Sequence, residues 1–462
     1  SYFAMPHGAT FRLVCVVAAP SRRLGLMSAQ VEDDRFPSIA EYAPQAQLFE
    51  REIAEQWGIV PDWHPWLKPV RFQPSYRQGS DAWGRSDGSI RIGVMDYYRV
   101  EGEEIHEVAV GPVHAGIIEP GHFRFQCHGE VVHHLEISLG YQHRGIERSL
   151  AGGPSFRTIH QMEAVAGDTT IGHATAYCTI LESLGNAEVP EKGDALRAVA
   201  LELERLANHA GDLGALAGDV GFLPTMSFCG RIRGEFLNLS AELCGSRFGR
   251  GFIRGGGTAF DCSPEMASQI RRRLAIARRD MKEAVDLLWD TPSVMARFEG
   301  TGTVSKEMAR ELGLVGPAAR ASALAQDVRS DHPYGFYRYR PIPMVTGNSG
   351  DVSDRAMVRW LESEYSIYFI DDILSRLPGG PCKVKINRPG AEKIAVALVE
   401  GWRGEICHTA VTDSEGRFAA YKIVDPSFHN WMGLAMALRG EQISDFPLCN
   451  KSFNLSYCGF DL

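Results

Sequence analysis

The stretch from Gly111 to Glu147, GPVHAGIIEPGHFRFQCHGEVVHHLEISLGYQHRGIE, constrains this chain more than any other. Phe123, Phe125 and Cys127 alternate with polar neighbours, Gly129 offers a turn, and a second run extends from Val131 to Leu139, so the pattern predicts an antiparallel hairpin. From Gly145 to Leu150 it changes to a helix start. Seven of the fifteen histidines lie between His106 and His143, and His160 and His173 follow. They fall on strand faces, at the tight turn and at the strand-to-helix corner. Imidazoles titrate near neutrality, so the expectation is a proton-handling or cofactor-facing site built on this hairpin.

Composition narrows the classes. A chain of 462 residues holds two or three domains on the prior of roughly 100–200 residues each, and 44% hydrophobic content is enough to bury their cores. The net charge of −9, with no block of Lys and Arg to neutralise a phosphate backbone, argues against nucleic acid. The longest apolar runs, Leu13 to Pro20 and Ile394 to Val399, fall well below the roughly 18 residues that span a bilayer. The chain therefore reads as water-soluble, with no secretory signal at its start and any membrane attachment through a partner. Ten scattered cysteines without a CxxC pair predict single, mostly buried thiols in a reducing compartment.

Taken in order, Phe11 to Val17 alternates like a strand, and Pro44 opens a helix with Leu48, Phe49, Ile53 and Trp57 on one side, ended by Gly58. From Gln73 to Val108 the chain is polar and Gly-rich, with a strand-like Ile90 to Met95 that predicts an edge strand in a linker. Glu163 to Glu182 reads as helical after its first turn. Beyond Pro190, Leu196, Val199, Leu203, Leu206, Ala210 and Leu213 recur at three and four. Arg233 to Cys244 repeats that pattern, Ser263-Pro264 caps a helix running to Trp289, and Asp351 to Arg376 forms another. Long helices with Gly and Pro connections argue for a helical bundle. The Gly255-Gly256-Gly257 run lacks both GxGxxG and a P-loop lysine, so it does not read as a nucleotide cradle. Past Lys383 alternation returns, and the C-terminal part reads as largely strand.

GPVHAG with EPGHFRF, the GYQHRGIE corner, ELERLANH (Glu202 to His209), FIRGGG, VGPAARAS with DVRSDHP, GDVSDRAMVR, EGWRGE and DPSFHNW together resemble the large subunit of membrane-bound nickel–iron hydrogenases of the formate hydrogenlyase type. They are more distantly similar to the large subunit at the quinone site of respiratory complex I. Phe36-Pro-Ser, Phe49-Glu-Arg-Glu-Ile-Ala, Trp57-Gly-Ile and His64-Pro resemble the small subunit that partners it, here shortened and fused ahead. The resemblance implies an α+β chain: a small α/β docking domain over residues 1–75, a linker and edge strand over 76–108, and a large-subunit-like domain over 109–462 whose central helical bundle is flanked by N- and C-terminal β regions.

The departures from the family are chemical. Where the hydrogenases carry a Cys-Gly-x-Cys pair this chain reads Ala166-Gly167-Asp168-Thr169, and where they end on Asp-Pro-Cys-x-x-Cys it reads Asn454-Leu455-Ser456-Tyr457-Cys458-Gly459. Serine and glycine occupy the ligand places, with Cys458 one position off. Soft thiolates bind nickel and iron in such a site, and these residues cannot replace them. The resemblance then implies no nickel–iron centre and an emptied cavity for a quinone-like acceptor, beside an iron–sulfur cluster carried by a small-subunit partner. Other implied partners are integral membrane subunits and a formate dehydrogenase or ferredoxin-like subunit, with the chain held peripherally at the cytoplasmic face of the membrane.

His114 matches the loop of complex I's quinone-ligating histidine, and the partnering tyrosine falls at His160 or Gln161. Asp168 and Glu147 are expected as proton relays, His122 as a second cofactor-facing imidazole, and Arg320 and Asp327 beside the old metal site, with Gln326 replacing the family's second arginine. Glu204, Arg233, Arg247 and Arg359 are expected as paired charges inside the bundle. The competing class is a non-catalytic scaffold that clamps the cluster-bearing subunit to membrane proton-translocating partners. An active nickel–iron hydrogenase fits least.

Overall fold

The strand expected at Phe11 to Val17 is Thr10–Ala19, the middle of an antiparallel set with Tyr2–His7 and Arg23–Val31. The computed structural model describes residues 1–19, 23–116 and 118–462. Pro20, where the first apolar run ends, and Ile117 in the opening stretch lie outside the described residues. The helix Gln47–Trp57 packs on Tyr2–His7 through Phe49 and Ile53. Ile90 to Met95 forms no strand. Gly93 turns the backbone there at φ +73°, and a Cβ at that position would stand 2.4 Å from the Tyr141 hydroxyl. The edge strand is instead Ile105–Val110, which pairs with His122–His128. That strand in turn pairs with Val131–Ser138 to complete the expected hairpin.

The helices Glu191–Asp219, Leu223–Cys244, Pro264–Trp289 and Val352–Ser375 form the bundle. The second begins ten residues before Arg233, because Pro224 lies in its first turn, where a missing N–H costs nothing. Strands Ile394–Gly401, Gly404–Thr412 and Phe418–Val424 pack against Thr170–Leu184. The chain then closes in helices, Pro426–Ala437, Phe446–Phe453 and Tyr457–Asp461, where strand was expected. Asp425-Pro426 explains the first of these: the Asp425 carboxylate accepts the Ser427 N–H at 2.8 Å and Pro426 stands in the first turn. Among the described residues no helix is long and apolar enough to cross a membrane, and all ten cysteines are free thiols.

Among the described residues two large hydrophobic cores result, with a small third cluster of Ala321, Val345 and Val358. One joins the bundle to the Ile394–Val424 sheet. The other takes Phe49 and Ile53 from the N-terminal region, Phe123 and Phe125 from the hairpin, and Phe428, Trp431 and Phe460 from the C-terminal helices. The N-terminal region is thus not a loose appendage: Phe49 meets Phe428 at 4.9 Å. A buried ion cluster crosses the same seam. Lys422 Nζ lies 2.5 Å from Glu52 and 2.9 Å from Glu147, Arg71 also pairs with Glu52, and Arg71 Nε donates to the Phe460 carbonyl at 2.8 Å. Burial works to raise the Glu52 carboxyl, but Lys422 and Arg71 hold it below the usual range.

Removing one partner of a buried pair leaves the other unpaired, so Lys422→Met lowers stability by about 3–5 kcal/mol in denaturant unfolding. Because Glu52 is depressed, its contribution is present above its unfolded pKa of about 4.3 and is lost as pH falls from there through the folded value. The wild-type advantage over Lys422→Met therefore shrinks at acid pH. A pH-independent difference contradicts this reading of the seam.

Candidate functional site

A cavity of about 400 Å³ opens between the Gly167–Asp168 turn, Glu119, and the segment from Asn450 to Cys458. Of the four positions that match thiolate ligands in the resembling family only Ser456 lines this cavity, and each of the four carries another chemistry. Ala166 is fully buried. The Thr169 hydroxyl oxygen accepts the Trp402 indole N–H at 3.1 Å. The Ser456 hydroxyl caps the last helix by accepting the Gly459 N–H at 2.9 Å. At Gly459 a Cβ would stand 2.7 Å from the Asp425 carboxyl carbon, so a cysteine there would displace a buried acid. Cys458 does face the cavity, but burial and the Glu119 charge push its thiol up to about 11. This donor set does not fit a nickel–iron centre, which needs converging thiolates.

In their place stands a bidentate ion pair. Arg403 meets Asp168 at 2.6 and 2.7 Å, stacks over Trp402 at 3.8 Å and donates at 2.5 Å to the Asn454 carbonyl. Burial opposes the Arg403 charge, but Asp168 holds its pKa above the ordinary value. Arg403 sits at the turn between Ile394–Gly401 and Gly404–Thr412, inside the EGWRGE motif. That turn is pinned by Gly316 (φ +66°), where a Cβ would come within 2.1 Å of the Arg403 carbonyl oxygen. Tyr457 also lines the cavity, its phenol raised to about 12 by burial, and its hydroxyl lies 3.4 Å from His114 Nε2. Burial lowers His114, which favours the neutral imidazole.

The expected residues therefore separate. Asp168 lines the cavity and His114 stands behind it through Tyr457. His122 is buried at the start of its strand, 3.3 Å from Arg124 Nε. His160 is exposed and pairs with Glu163 at 3.2 Å. Glu147 belongs to the Lys422 seam, where its carboxylate also accepts the Ile423 N–H at 2.8 Å. Neither His122, His160 nor Glu147 lines the cavity.

Arg320 and Asp327 lie beneath it in a fully buried ion network. Arg320 binds Glu362 and Glu400 at 2.8 Å each, Arg329 joins Asp327 at 2.6 Å to Glu202 at 3.1 Å, and Arg205 meets Glu202 at 3.0 Å. Three guanidiniums face four carboxylates, and the surplus falls on Glu400: burial and Asp327 raise its carboxyl to about 7. Glu400 and Arg403 flank the same turn, so the network below and the cavity above share one piece of backbone.

Of the charges expected to be paired, Arg359 meets Asp212 at 2.7 Å. Among the described residues Arg233 and Arg247 make no ion pair, and Glu204 has no cation either. Glu204 instead accepts the Ile171 and Gly172 N–H groups at 2.7 and 3.2 Å at the start of a helix, and it lines a small void that reaches Asp168. Burial and the Asp168 charge raise it to about 8 against those two hydrogen bonds. Sequence reasoning missed Arg403 and Tyr457, and it read Glu204 as a paired structural charge. It also missed a buried line in which Tyr421, His408, His173 and Asp425 succeed one another at 2.8, 3.0 and 3.0 Å. EGWRGE and DPSFHNW were the available signals for Arg403 and Asp425.

Comparison with known proteins agrees in kind. Residues 219–394 match the family described as respiratory-chain NADH dehydrogenase, 49 Kd subunit, and residues 4–79 match its 30 Kd subunit. Formate hydrogenlyase subunit 5 of Escherichia coli is 30% identical over 91% of this chain and 76% of its own length. Carbon monoxide-induced hydrogenase of Rhodospirillum rubrum is 32% identical over 76% and 97%. Among solved structures, a chain of the membrane-bound sulfane sulfur reductase, an archaeal respiratory membrane complex, is 24% identical with a TM-score of 0.73, covering 79% of this chain and all of that one. That likeness is one of fold.

A carboxyl raised in the folded state stabilises fully below its unfolded pKa and loses that contribution as pH rises through the folded value. Glu204 therefore weakens the fold progressively between about pH 4.3 and about pH 8. Glu204→Gln removes this slope, so its unfolding midpoint rises relative to wild type across that interval. Parallel pH profiles for the two proteins would contradict the assignment.

Proposed function

Because the chain belongs to the family of large subunits that membrane-bound nickel–iron hydrogenases share with respiratory-chain NADH dehydrogenase, we propose that its cavity reduces a quinone-like acceptor without a nickel–iron centre. The chain is a subunit of the electron-transfer module of a membrane oxidoreductase. The observation that carries the proposal is the Asp168–Arg403 pair at the place of the lost thiolates.

A cavity of about 400 Å³ suits a single-ring headgroup. Reducing it takes two electrons and two protons. The electrons come from an iron–sulfur cluster in a small-subunit partner, and the protons from groups at the wall. Arg403 offers guanidinium N–H donors to the oxygen where negative charge develops. The Tyr457 hydroxyl donates a proton, with neutral His114 at 3.4 Å as the group that exchanges it. Asp168, held by Arg403, passes a second proton, with protonated Glu204 behind it. His122, His160, Glu147, Arg320 and Asp327 play no direct part: Arg320 and Asp327 support the turn that carries Arg403, and Glu147 holds the seam.

Residues 1–75 dock the chain, 76–108 link, and 109–462 form the reducing domain. Integral membrane subunits hold it at the cytoplasmic face, and a formate dehydrogenase or ferredoxin-like subunit supplies electrons. The second reading, a non-catalytic clamp, rests on the buried seam and ion network, which serve architecture whatever the cavity does.

Asp168→Asn and Tyr457→Phe each lower quinone-linked electron transfer by about 10²-fold or more while the complex still assembles. Unchanged rates in both variants favour the clamp. Elemental analysis of the purified complex finds no stoichiometric nickel on this chain, and one nickel per chain overturns the proposal.

A further inference from the structure

A second cavity, about 720 Å³, shares no lining residue with the first. It lies between the end of Thr170–Leu184, the start of Glu191–Asp219 and the aromatic segment from Pro333 to Tyr339. The proposed reaction makes no use of it.

Its lining is unbalanced in a specific way. Arg197 is spent: it holds Glu182 at 3.0 and 2.5 Å and donates to the Gly257 and Arg254 carbonyls. The remaining charges are Asp194, Glu188 and Glu191 against Arg338. Arg338 comes no closer to Asp194 than 3.8 Å, beyond hydrogen-bond reach. Among the described residues no hydrogen bond reaches the Asp194 carboxylate, whose side chain is 13% exposed, and burial raises it to about 6. The Thr175 hydroxyl, in a residue 2% exposed, lines the same cavity with no hydrogen-bond partner. Leaving such a group unsatisfied costs about 1–3 kcal/mol.

The aromatic wall adds an apolar, cation-attracting surface. Tyr334 and Tyr337 pack at 5.1 Å with their hydroxyls committed inward: Tyr334 accepts the Glu400 N–H at 3.1 Å and Tyr337 donates to Glu202 at 2.6 Å. The Tyr337 ring is buried and stacks on Phe369 at 5.1 Å, so the half-buried Tyr334 ring is the one of the two that a cation can reach. A ligand that satisfies both Asp194 and Thr175 needs N–H donors and positive charge on a slender apolar stem. A divalent metal would want about six oxygens, and among the described residues the buried groups left without a hydrogen-bond partner here are the Asp194 carboxylate and the Thr175 hydroxyl. We propose that this cavity binds an aliphatic di- or polyamine, with one primary ammonium at Asp194, its methylene stem along Tyr334, and an N–H at its other end donating to the Thr175 hydroxyl.

The test is calorimetric titration of the purified complex with 1,4-diaminobutane and spermidine, using 1,4-butanediol as the uncharged control. Saturable binding of the amines and none of the diol is expected. Asp194→Asn and Thr175→Val, two independent variants in case one misfolds, each weaken binding by about tenfold or more. Affinity rises as pH passes through about 6 and Asp194 ionises, with the Glu182–Arg197 pair, Glu188, Glu191 and Arg338 facing the same space. Absence of saturable binding, or unchanged affinity in both variants, overturns the proposal. So does a map of the assembled complex with a neighbouring subunit's side chain in the cavity. None of these readouts depends on electron transfer, so failure here leaves the reduction site untouched.

Discussion

The fully buried ion network around Arg320 is the interaction on which the rest of the molecule depends. Charges removed from water are expensive, and these persist because nearly every guanidinium and carboxylate finds a partner. The network joins elements far apart in sequence: Glu202 from one bundle helix, Glu362 from another, Asp327 and Arg329 from a short connection, and Glu400 from the end of a strand. Such a cluster disfavours any register of the bundle in which one member goes unpaired. It converts a pile of amphipathic helices into one arrangement, and it anchors the backbone turn that carries Arg403.

The cavity above inherits that rigidity. Across it, the Asp168–Arg403 pair and the Trp402 indole, which donates to the Asp168 carbonyl, knit the two sides together. These are polar, directional contacts that leave protons near the space. The half-buried Cys458 and the buried Tyr457 stay protonated because their anions would be poorly solvated. Hydrogen bonds and one ion pair, rather than soft ligands, hold this wall of the cavity together.

The N-terminal region follows the same logic at larger scale. Phe49 against Phe428 and Lys422 between Glu52 and Glu147 make it part of a core shared with the last helices of the chain. An N-terminal region that buries both apolar area and paired charge against the last helices braces the C-terminal wall of the cavity.

The hairpin at residues 122–138, the four bundle helices and the absence of thiolates at four family positions were legible in the sequence alone. Each rests on local periodicity or on residue identity, which neighbours in space do not alter. The missed helix after Asp425 and the false strand at Ile90 to Met95 were also local, one hidden in a capping pair and the other undone by Gly93. What only tertiary structure decided was company: that Asp168 pairs with a residue 235 positions away, that Glu147 faces Lys422 rather than the cavity, and that Glu204 caps a helix without a counter-ion. The charge state and role of a buried side chain are set by the groups that replace its water, and those groups come from segments that sequence order does not place together.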